Sequence, residues 1–124
     1  MKTAAPPAPT TRTPAAVDPT AGFARMLSAM GTEPRLRIVR LLLTAHPQGL
    51  VVGDIASESG ITGSTLSHHL DKLKHEQLVK VRREGTYLWY SADTEALQGL
   101  LGFLYAECCT RNKAIEPQKI LCCC

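Results

Sequence analysis

Residues 61–75 read ITGSTLSHHLDKLKH, and this stretch decides the fold. Leucines recur here at the spacing of one helix face: Leu66, Leu70 and Leu73. Thr62 stands where an N-cap residue is favoured. The preceding residues 53–59 have room for about two helical turns, which Gly60 ends. Two short helices around a tight, glycine-containing turn predict a helix-turn-helix whose second helix spans residues 63–75.

The residues before this motif predict two further helices. The first begins at Asp18-Pro19, with the aspartate as N-cap and the proline in the first turn, and ends at Gly31. Thr32 and Pro34 open the second, which stops at His46-Pro47. Apolar residues fall on nearly all faces of this second helix: Leu36, Ile38, Val39, Leu41, Leu42 and Leu43. We therefore expect it to be buried on all sides at the centre of the domain.

A β-hairpin and a last helix follow the motif. Residues 78–83 and 86–91 are rich in β-branched and aromatic residues and are joined through Glu84-Gly85, which predicts a hairpin that would serve as a wing. Asp93 or Thr94 caps the last helix. Its apolar stripe is long: Leu97, Leu100, Leu101, Leu104, Tyr105 and Cys108. The sequence thus predicts a mainly α fold with a small β-hairpin wing, a winged helix-turn-helix.

The length of 124 residues fits one domain with two tails. Residues 1–18 are mostly Ala, Pro and Thr without large apolar groups, which predicts a disordered tail. Residues 19–109 form the folded domain, and residues 110–124 form a cysteine-containing C-terminal tail. No signal peptide is recognisable, and no run approaches the ~20 apolar residues that a membrane span needs. We expect a cytoplasmic protein with no membrane partner.

Short polar side chains lie between the leucines of the second motif helix, and basic residues continue into the hairpin. Such groups suit base edges and phosphates in a DNA major groove, although an ordinary solvated face is the alternative. The candidate DNA-binding residues are Ser64, Thr65, Ser67, His68, Lys72, Lys74, Lys80, Arg82 and Arg83. His68 is expected to face DNA and His69 to pack against the protein. The hairpin aromatics are expected to pack inward rather than to stack on bases: Tyr87, Trp89 and Tyr90.

All five cysteines lie in the last seventeen residues, as the pair Cys108-Cys109 and the run Cys122-Cys123-Cys124. Adjacent Cα atoms are ~3.8 Å apart, whereas a relaxed disulfide needs ~5.5 to 6 Å, so the pair is poorly suited to bridge to itself. Two neighbouring thiolates suit a soft ion, whereas a single cysteine would more often be a small apolar residue. No nucleophile and base stand together, so we expect no enzymatic activity.

Three strings resemble the ArsR/SmtB family of metal-responsive repressors: residues 34–38 (PRLRI), residues 64–70 (STLSHHL), and residues 82–85 (RREG) followed by two tyrosines. The likeness covers about residues 20–109. It implies a homodimeric winged-helix protein that binds operator double-stranded DNA and releases it when metal binds. It also implies a recognition helix at residues 63–75 and a wing at residues 79–90, so that residues 19–109 become a DNA-binding and dimerisation domain. The apolar stripes of the first and last helices would pair across the dimer axis.

The family's usual metal sites are missing from this sequence. Residues 51–54 read Val-Val-Gly-Asp where many cadmium and arsenic sensors have Cys-Val-Cys-Asp, and the last helix lacks the histidine of the zinc site. Glu107-Cys108-Cys109 resembles instead the subgroup that senses arsenicals through a cysteine pair at the end of this helix. The resemblance implies trivalent arsenic or antimony as the inducer, with a third ligand among Cys122, Cys123 and Cys124. Gln77 stands where relatives carry glycine, which predicts a left-handed backbone there.

Other roles for the cysteines stay open at this point. Cadmium, lead or mercury would also suit thiolates. A thiol redox switch could join the pair to the terminal run. A lipid anchor on the terminal run is a further alternative, but no hydrophobic or polybasic flank supports it.

Overall fold

The structure, a computed structural model, describes residues 18–111. Within this range the helices are α1 (Thr20–Met30), α2 (Glu33–Thr44), α3 (Val52–Ser59), α4 (Gly63–His75) and α5 (Thr94–Tyr105), and the strands are β1 (Leu50–Val51), β2 (Val79–Glu84) and β3 (Tyr87–Ala92). This arrangement confirms the predicted winged helix-turn-helix, with α3 and α4 as the motif and β2–β3 as the wing. The predicted tails fall almost wholly outside the described residues.

The core forms where three helices cover one face of the sheet. Helices α2 and α3 contact β3, α4 contacts β2, and α1 packs on α2 and α4. Seven large side chains are almost completely buried: Ile38, Leu42, Ile55, Leu66, Leu70, Leu73 and Leu78. Each such side chain contributes about 1.5–3 kcal/mol when it leaves water. The leucine spacing that predicted α4 is therefore the spacing that fixes its orientation.

Helix α2 is not buried on all sides, so that expectation is wrong. Ile38, Val39 and Leu42 are buried, whereas Leu36 and Leu43 are 47% and 41% exposed. One side of α2 faces the sheet and its neighbouring helices, and the opposite side is left in solvent. The helix also ends at Thr44, before His46-Pro47.

The start of α1 differs slightly from its prediction. The helix begins at Thr20 with Pro19 in the N-cap position, rather than with Asp18 as N-cap. The Asp18 carboxylate nevertheless accepts hydrogen bonds from the backbone N–H and the hydroxyl of Thr20, and these bonds lower the pKa of Asp18. At the start of α4, Thr62 occupies the predicted N-cap position, but its hydroxyl makes no capping hydrogen bond.

The sheet contains a strand that the sequence analysis missed. Strand β1 pairs antiparallel with β3 and gives the order β1-β3-β2. Gly49 precedes β1 at φ +87, and a Cβ atom there would lie 2.1 Å from the carbonyl oxygen of Tyr90. In the hairpin, Glu84 pairs with Tyr87, so the loop is Gly85-Thr86 rather than Glu84-Gly85.

Helix α5 is capped by Asp93, whose carboxylate accepts from the backbone N–H of Ala96 at 3.0 Å. The helix ends at Tyr105, and residues 106–111 form turns, so the apolar stripe stops before Cys108. Leu100 is its buried residue, whereas Leu101 and Leu104 are 53% and 52% exposed. None of the helices in residues 18–111 is long and apolar enough to cross a membrane.

Gly49→Ala should lower the free energy of unfolding far more than Gly85→Ala. Both glycines have positive φ, so both substitutions carry the left-handed strain of about 1–2 kcal/mol. Only Gly49 would also force a methyl group onto the backbone of β3, whereas Gly85 faces open space. Urea denaturation of both variants measures the difference. Equal losses would mean that β1 does not approach β3 as described.

Candidate DNA interface and thiol pair

The polar face of α4 is exposed because its leucines are buried on the opposite side. Every predicted DNA-binding residue of α4 is exposed: Ser64, Thr65, Ser67, His68, Lys72 and Lys74. At ~100° per residue, Ser67 and Thr65 lie on opposite flanks of the helix. Ser64 and His68 lie on the outer face between them. The helix therefore presents one continuous polar arc, with Ser67 and Thr65 at its two edges.

The basic wing residues divide between two faces of the hairpin. Because side chains alternate along a strand, Lys80 and Arg82 lie on one face of β2 and Arg83 on the other. Arg82 is partly engaged: its Nε donates to Glu84 Oε2 at 3.0 Å, and its guanidinium stands 5.5 Å from the centre of the Trp89 ring. Lys80 and Arg83 are exposed and form no ion pair within the described residues.

The aromatic residues of β3 differ in burial. Tyr90 is buried, which confirms that part of the expectation. Trp89 is half-buried beneath Arg82, and Tyr87 is 63% exposed at the end of the wing. The inward-packing expectation is therefore wrong for Tyr87, which pairs with Glu84 next to the hairpin turn.

The C-terminal end of α4 carries cationic side chains in its last turn and is followed by a residue with a left-handed backbone. Lys72, Lys74 and His75 occupy its last turn, where cations interact favourably with the helix dipole. Gln77 has φ +62, which confirms the predicted left-handed position. Its N–H donates to the carbonyl of Lys74 at 2.9 Å, so the chain leaves the helix in a tight turn before β2.

Two arginines that the sequence analysis did not select connect α4 to other helices. Arg35 of α2 contacts Nδ1 of the half-buried His69 at 3.3 Å, and Arg25 of α1 lies 3.6 Å from the carboxylate of Glu76. Between α1 and α4 lies a cleft of 470 Å³, which His68 helps to line. Burial lowers the pKa of His69, and the charges of Arg35 and His68 lower it further. An arginine in a helix gives no sequence signal for such a contact, because the contact depends on tertiary packing.

The sulfur atoms of Cys108 and Cys109 lie 3.3 Å apart, and both thiols are free and half-buried. Cys109 adopts a positive φ of 63. The hydrogen bond with Cys109 stabilises the protonated Cys108 thiol and raises its pKa, and burial and the charge of Cys109 raise this pKa further. Among residues 18–111, no group of three His, Cys, Asp or Glu side chains is placed to hold a metal ion. Cys122, Cys123 and Cys124 lie outside the described residues.

Comparison with known proteins identifies the family. Residues 32–81 match the model described as bacterial regulatory protein, arsR family. The transcriptional activator HlyU of Vibrio cholerae is 31% identical over 88 residues, which cover 71% of this chain and 79% of HlyU. The chain belongs to the arsR family of bacterial regulatory proteins. It is a winged-helix transcriptional regulator rather than an enzyme.

Two further proteins are similar to this ArsR-family regulator. The nodulation protein NolR of Rhizobium meliloti is 38% identical over 84 residues, and the match spans 68% of this chain but only 64% of NolR. The solution structure of Mb0332 from Mycobacterium bovis, described as a homodimeric winged helix-turn-helix DNA-binding domain, superposes with a TM-score of 0.57. The two sequences are 27% identical, and the superposition covers 99% of the Mb0332 chain and 86% of this chain.

Cys108 of the regulator should react slowly with iodoacetamide at pH 7–8.5, because its raised pKa keeps the thiol protonated. Cys109→Ala removes the first cause of the shift and should speed alkylation of Cys108 at the same pH. Mass spectrometry of the peptide that contains Cys108, sampled over time at several pH values, gives both rates. An unchanged rate profile in Cys109→Ala would show that the two thiols do not interact.

Proposed function

We propose that this chain is a repressor that binds operator DNA as a homodimer and releases it when trivalent arsenic or antimony binds Cys108 and Cys109. The thiol pair with sulfur atoms 3.3 Å apart, held at the end of α5, is the observation that carries the choice of inducer. The exposed polar arc of α4 beside a basic wing supports the choice of DNA as partner. Each part of the proposal has its own physical support.

Recognition of DNA would be divided between α4 and the wing. A B-DNA major groove admits an α-helix, and the hydroxyls of Ser64 and Ser67 and the imidazole of His68 are short groups that can reach base edges. Lys80 and Arg83 carry no partner that would compete with phosphate among the described residues. Arg82 is the weaker candidate, since Glu84 already binds its guanidinium.

A homodimer is supported by apolar residues that the single chain leaves exposed. Leu27 of α1 is 44% exposed, and Leu101 and Leu104 of α5 are more than half exposed. Helices α1 and α5 touch through the stacked rings of Phe23 and Phe103, whose centroids are 4.5 Å apart. Covering this surface with a second copy would remove apolar area from water, which is the main stabilising term in obligate dimers.

The thiol pair fits a soft ion geometrically. Two thiolates that each lie ~2.3 Å from one ion, the distance known for zinc, are at most ~4.6 Å apart. The observed separation of 3.3 Å is within that limit. Soft thiolates select soft ions, and binding would displace the thiol protons. A third thiolate from Cys122, Cys123 or Cys124 is compatible with this pair, because the entropic cost of closing the loop grows only logarithmically with its length.

Contacts between elements supply a route from the thiol pair to DNA. Phe103 of α5 stacks on Phe23 of α1, and α1 reaches the end of α4 through Arg25 and Glu76. An inducer shifts the equilibrium only when it binds the DNA-incompetent state more tightly. In the proposed mechanism, the ligand moves α5 and α1 and thereby changes the spacing of the two recognition helices, to which half-site binding is sensitive.

Arg83→Ala should weaken DNA binding and reduce the slope of log affinity against log salt concentration by about 1, because one phosphate contact is lost. The probe is a labelled duplex selected by the purified protein from a random-sequence pool, measured by fluorescence anisotropy. Arg40→Ala, which removes the same charge from the exposed part of α2, is the matched control and should leave the slope unchanged. Equal effects of the two variants would contradict a role for the wing.

Arsenite should release the wild-type protein from this duplex, and Cys108→Ser or Cys109→Ser should abolish release without weakening DNA binding. A serine hydroxyl retains the size of the thiol but not its affinity for a soft ion. Thr110→Ser, a small change next to the pair, is the control and should respond normally. Release that persists in both cysteine variants would eliminate the proposed site.

The same assay separates the remaining inducers. Truncation after Pro117 should weaken the arsenite response if a terminal cysteine supplies the third ligand. Methylarsenite, which needs only two thiolates, should then still act on the truncated protein. Release by cadmium, lead or mercury alone would replace arsenic as the inducer, and release by peroxide without metal would identify a redox switch.

A further inference from the structure

Arg35 joins three helices at one point. It belongs to the first turns of α2, its Nε donates to the carbonyl of Ala29 in the last turn of α1, and its Nη1 contacts Nδ1 of His69 on α4 at 3.3 Å. Both bonds leave from the same planar guanidinium, so the group fixes α4 relative to α1 in distance and in direction. His69 lies on α4 next to His68, one of the candidate base-reading residues.

The chemistry of this contact determines the protonation state and the tautomer of the His69 imidazole. A guanidinium carries only donors and stays charged at all relevant pH values. Nδ1 of His69 must therefore accept, which requires the neutral imidazole with its proton on Nε2. A proton added to Nδ1 would remove the acceptor and place two cations 3.3 Å apart.

We propose that the contact between Arg35 and neutral His69 positions α4 for sequence-specific DNA reading, and that acidification breaks this contact and reduces specificity. The inference rests on the proposed DNA-binding role of α4. It makes Arg35 and His69 positioning residues, because neither belongs to the exposed polar arc that would meet the bases.

The groups around His69 determine the direction of the pH effect. Arg35 faces it from α2, the Ala29 carbonyl marks the approach of α1, and His68 adjoins it on α4. The neighbouring cleft is lined by further charged groups: Arg25, Asp71, Lys72, His75 and Glu76. Burial lowers the pKa of His69 below 6.5, so the folded form binds this proton less readily than the unfolded chain. The contact is therefore intact above pH 6.5 and is lost as pH falls through the lowered pKa.

The test compares three variants across pH 5.5–7.5. His69→Asn keeps an acceptor near the position of Nδ1 but does not titrate, and His69→Leu removes the acceptor. Arg35→Lys keeps the positive charge but loses the planar guanidinium that donates in two directions. The measured quantity is the ratio of affinities for the selected duplex and a shuffled duplex of the same composition. This ratio cancels changes in phosphate attraction that are the same for both duplexes. Thermal unfolding by circular dichroism identifies any variant that fails to fold.

The wild-type ratio should fall about tenfold on acidification, the size of effect expected for a residue that acts without touching the ligand. His69→Asn should keep the neutral-pH ratio at all pH values, whereas His69→Leu and Arg35→Lys should have a low ratio throughout. An unchanged ratio in His69→Leu at pH 7.5, or a wild-type fall with pH in His69→Asn, would overturn the inference.

Imidazole NMR of the full chain tests the contact without DNA. We expect the Nε2–H tautomer of His69 at pH 7.5 in the wild type and a changed Nδ1 chemical shift in Arg35→Lys, because the hydrogen bond to Nδ1 is altered. An Nδ1–H tautomer in the wild type would refute the contact itself. Failure of the protein to select any sequence from the random pool would instead count against the proposed DNA-binding function.

Discussion

Burial of three leucines on one side of α4 is the constraint on which the rest of the structure depends. Leu66, Leu70 and Leu73 are almost completely removed from water, so α4 can rotate about its axis only by exposing them. The hydrophobic core thereby determines which side chains of α4 face solvent. The polar arc is thus a consequence of packing, and its orientation relative to the wing is fixed because β2 follows α4 after one tight turn at Gln77.

Helix α1 connects α5, which leads to the thiol pair, with α4, the proposed recognition helix. Its Phe23 stacks on α5, while its Arg25 and the carbonyl of Ala29 reach α4 directly or through Arg35. The exposed position of Arg25 means that its pairing with Glu76 contributes little stability by itself. The half-buried contact of Arg35 is the firmer connection, since it uses two donors of one rigid group. A change in the position of α1 would therefore be transmitted to α4 mainly at Arg35.

The sequence was sufficient for features that follow from local periodicity and chain stereochemistry. The leucine spacing of α4 and a cap at Asp93 or Thr94 were predictable because each depends on residues close in sequence. The left-handed Gln77 was expected from the family resemblance instead, since relatives carry glycine at this position. Strand β1 was not predictable, because a strand of two residues shows no periodicity and its pairing with β3 depends on residues distant in sequence. The exposure of Leu36 and the contact of Arg35 with His69 could not be predicted for the same reason. A sequence pattern shows the faces of a helix, but it does not show which neighbouring element covers each face.

The difference in burial between α5 and α4 bears on how a ligand at the thiol pair could act. Helix α5 has one buried residue, Leu100, and two half-exposed leucines, whereas α4 has three leucines in the core. Moving α5 therefore disturbs little of the core, whereas rotating α4 would expose most of what stabilises it. A ligand whose binding free energy differs by only a few kcal/mol between the two states of the protein can move α5 but cannot rotate α4. The proposed release of DNA is thus best explained by a change in the spacing between the two recognition helices of the dimer, while the leucines of each α4 stay in the core.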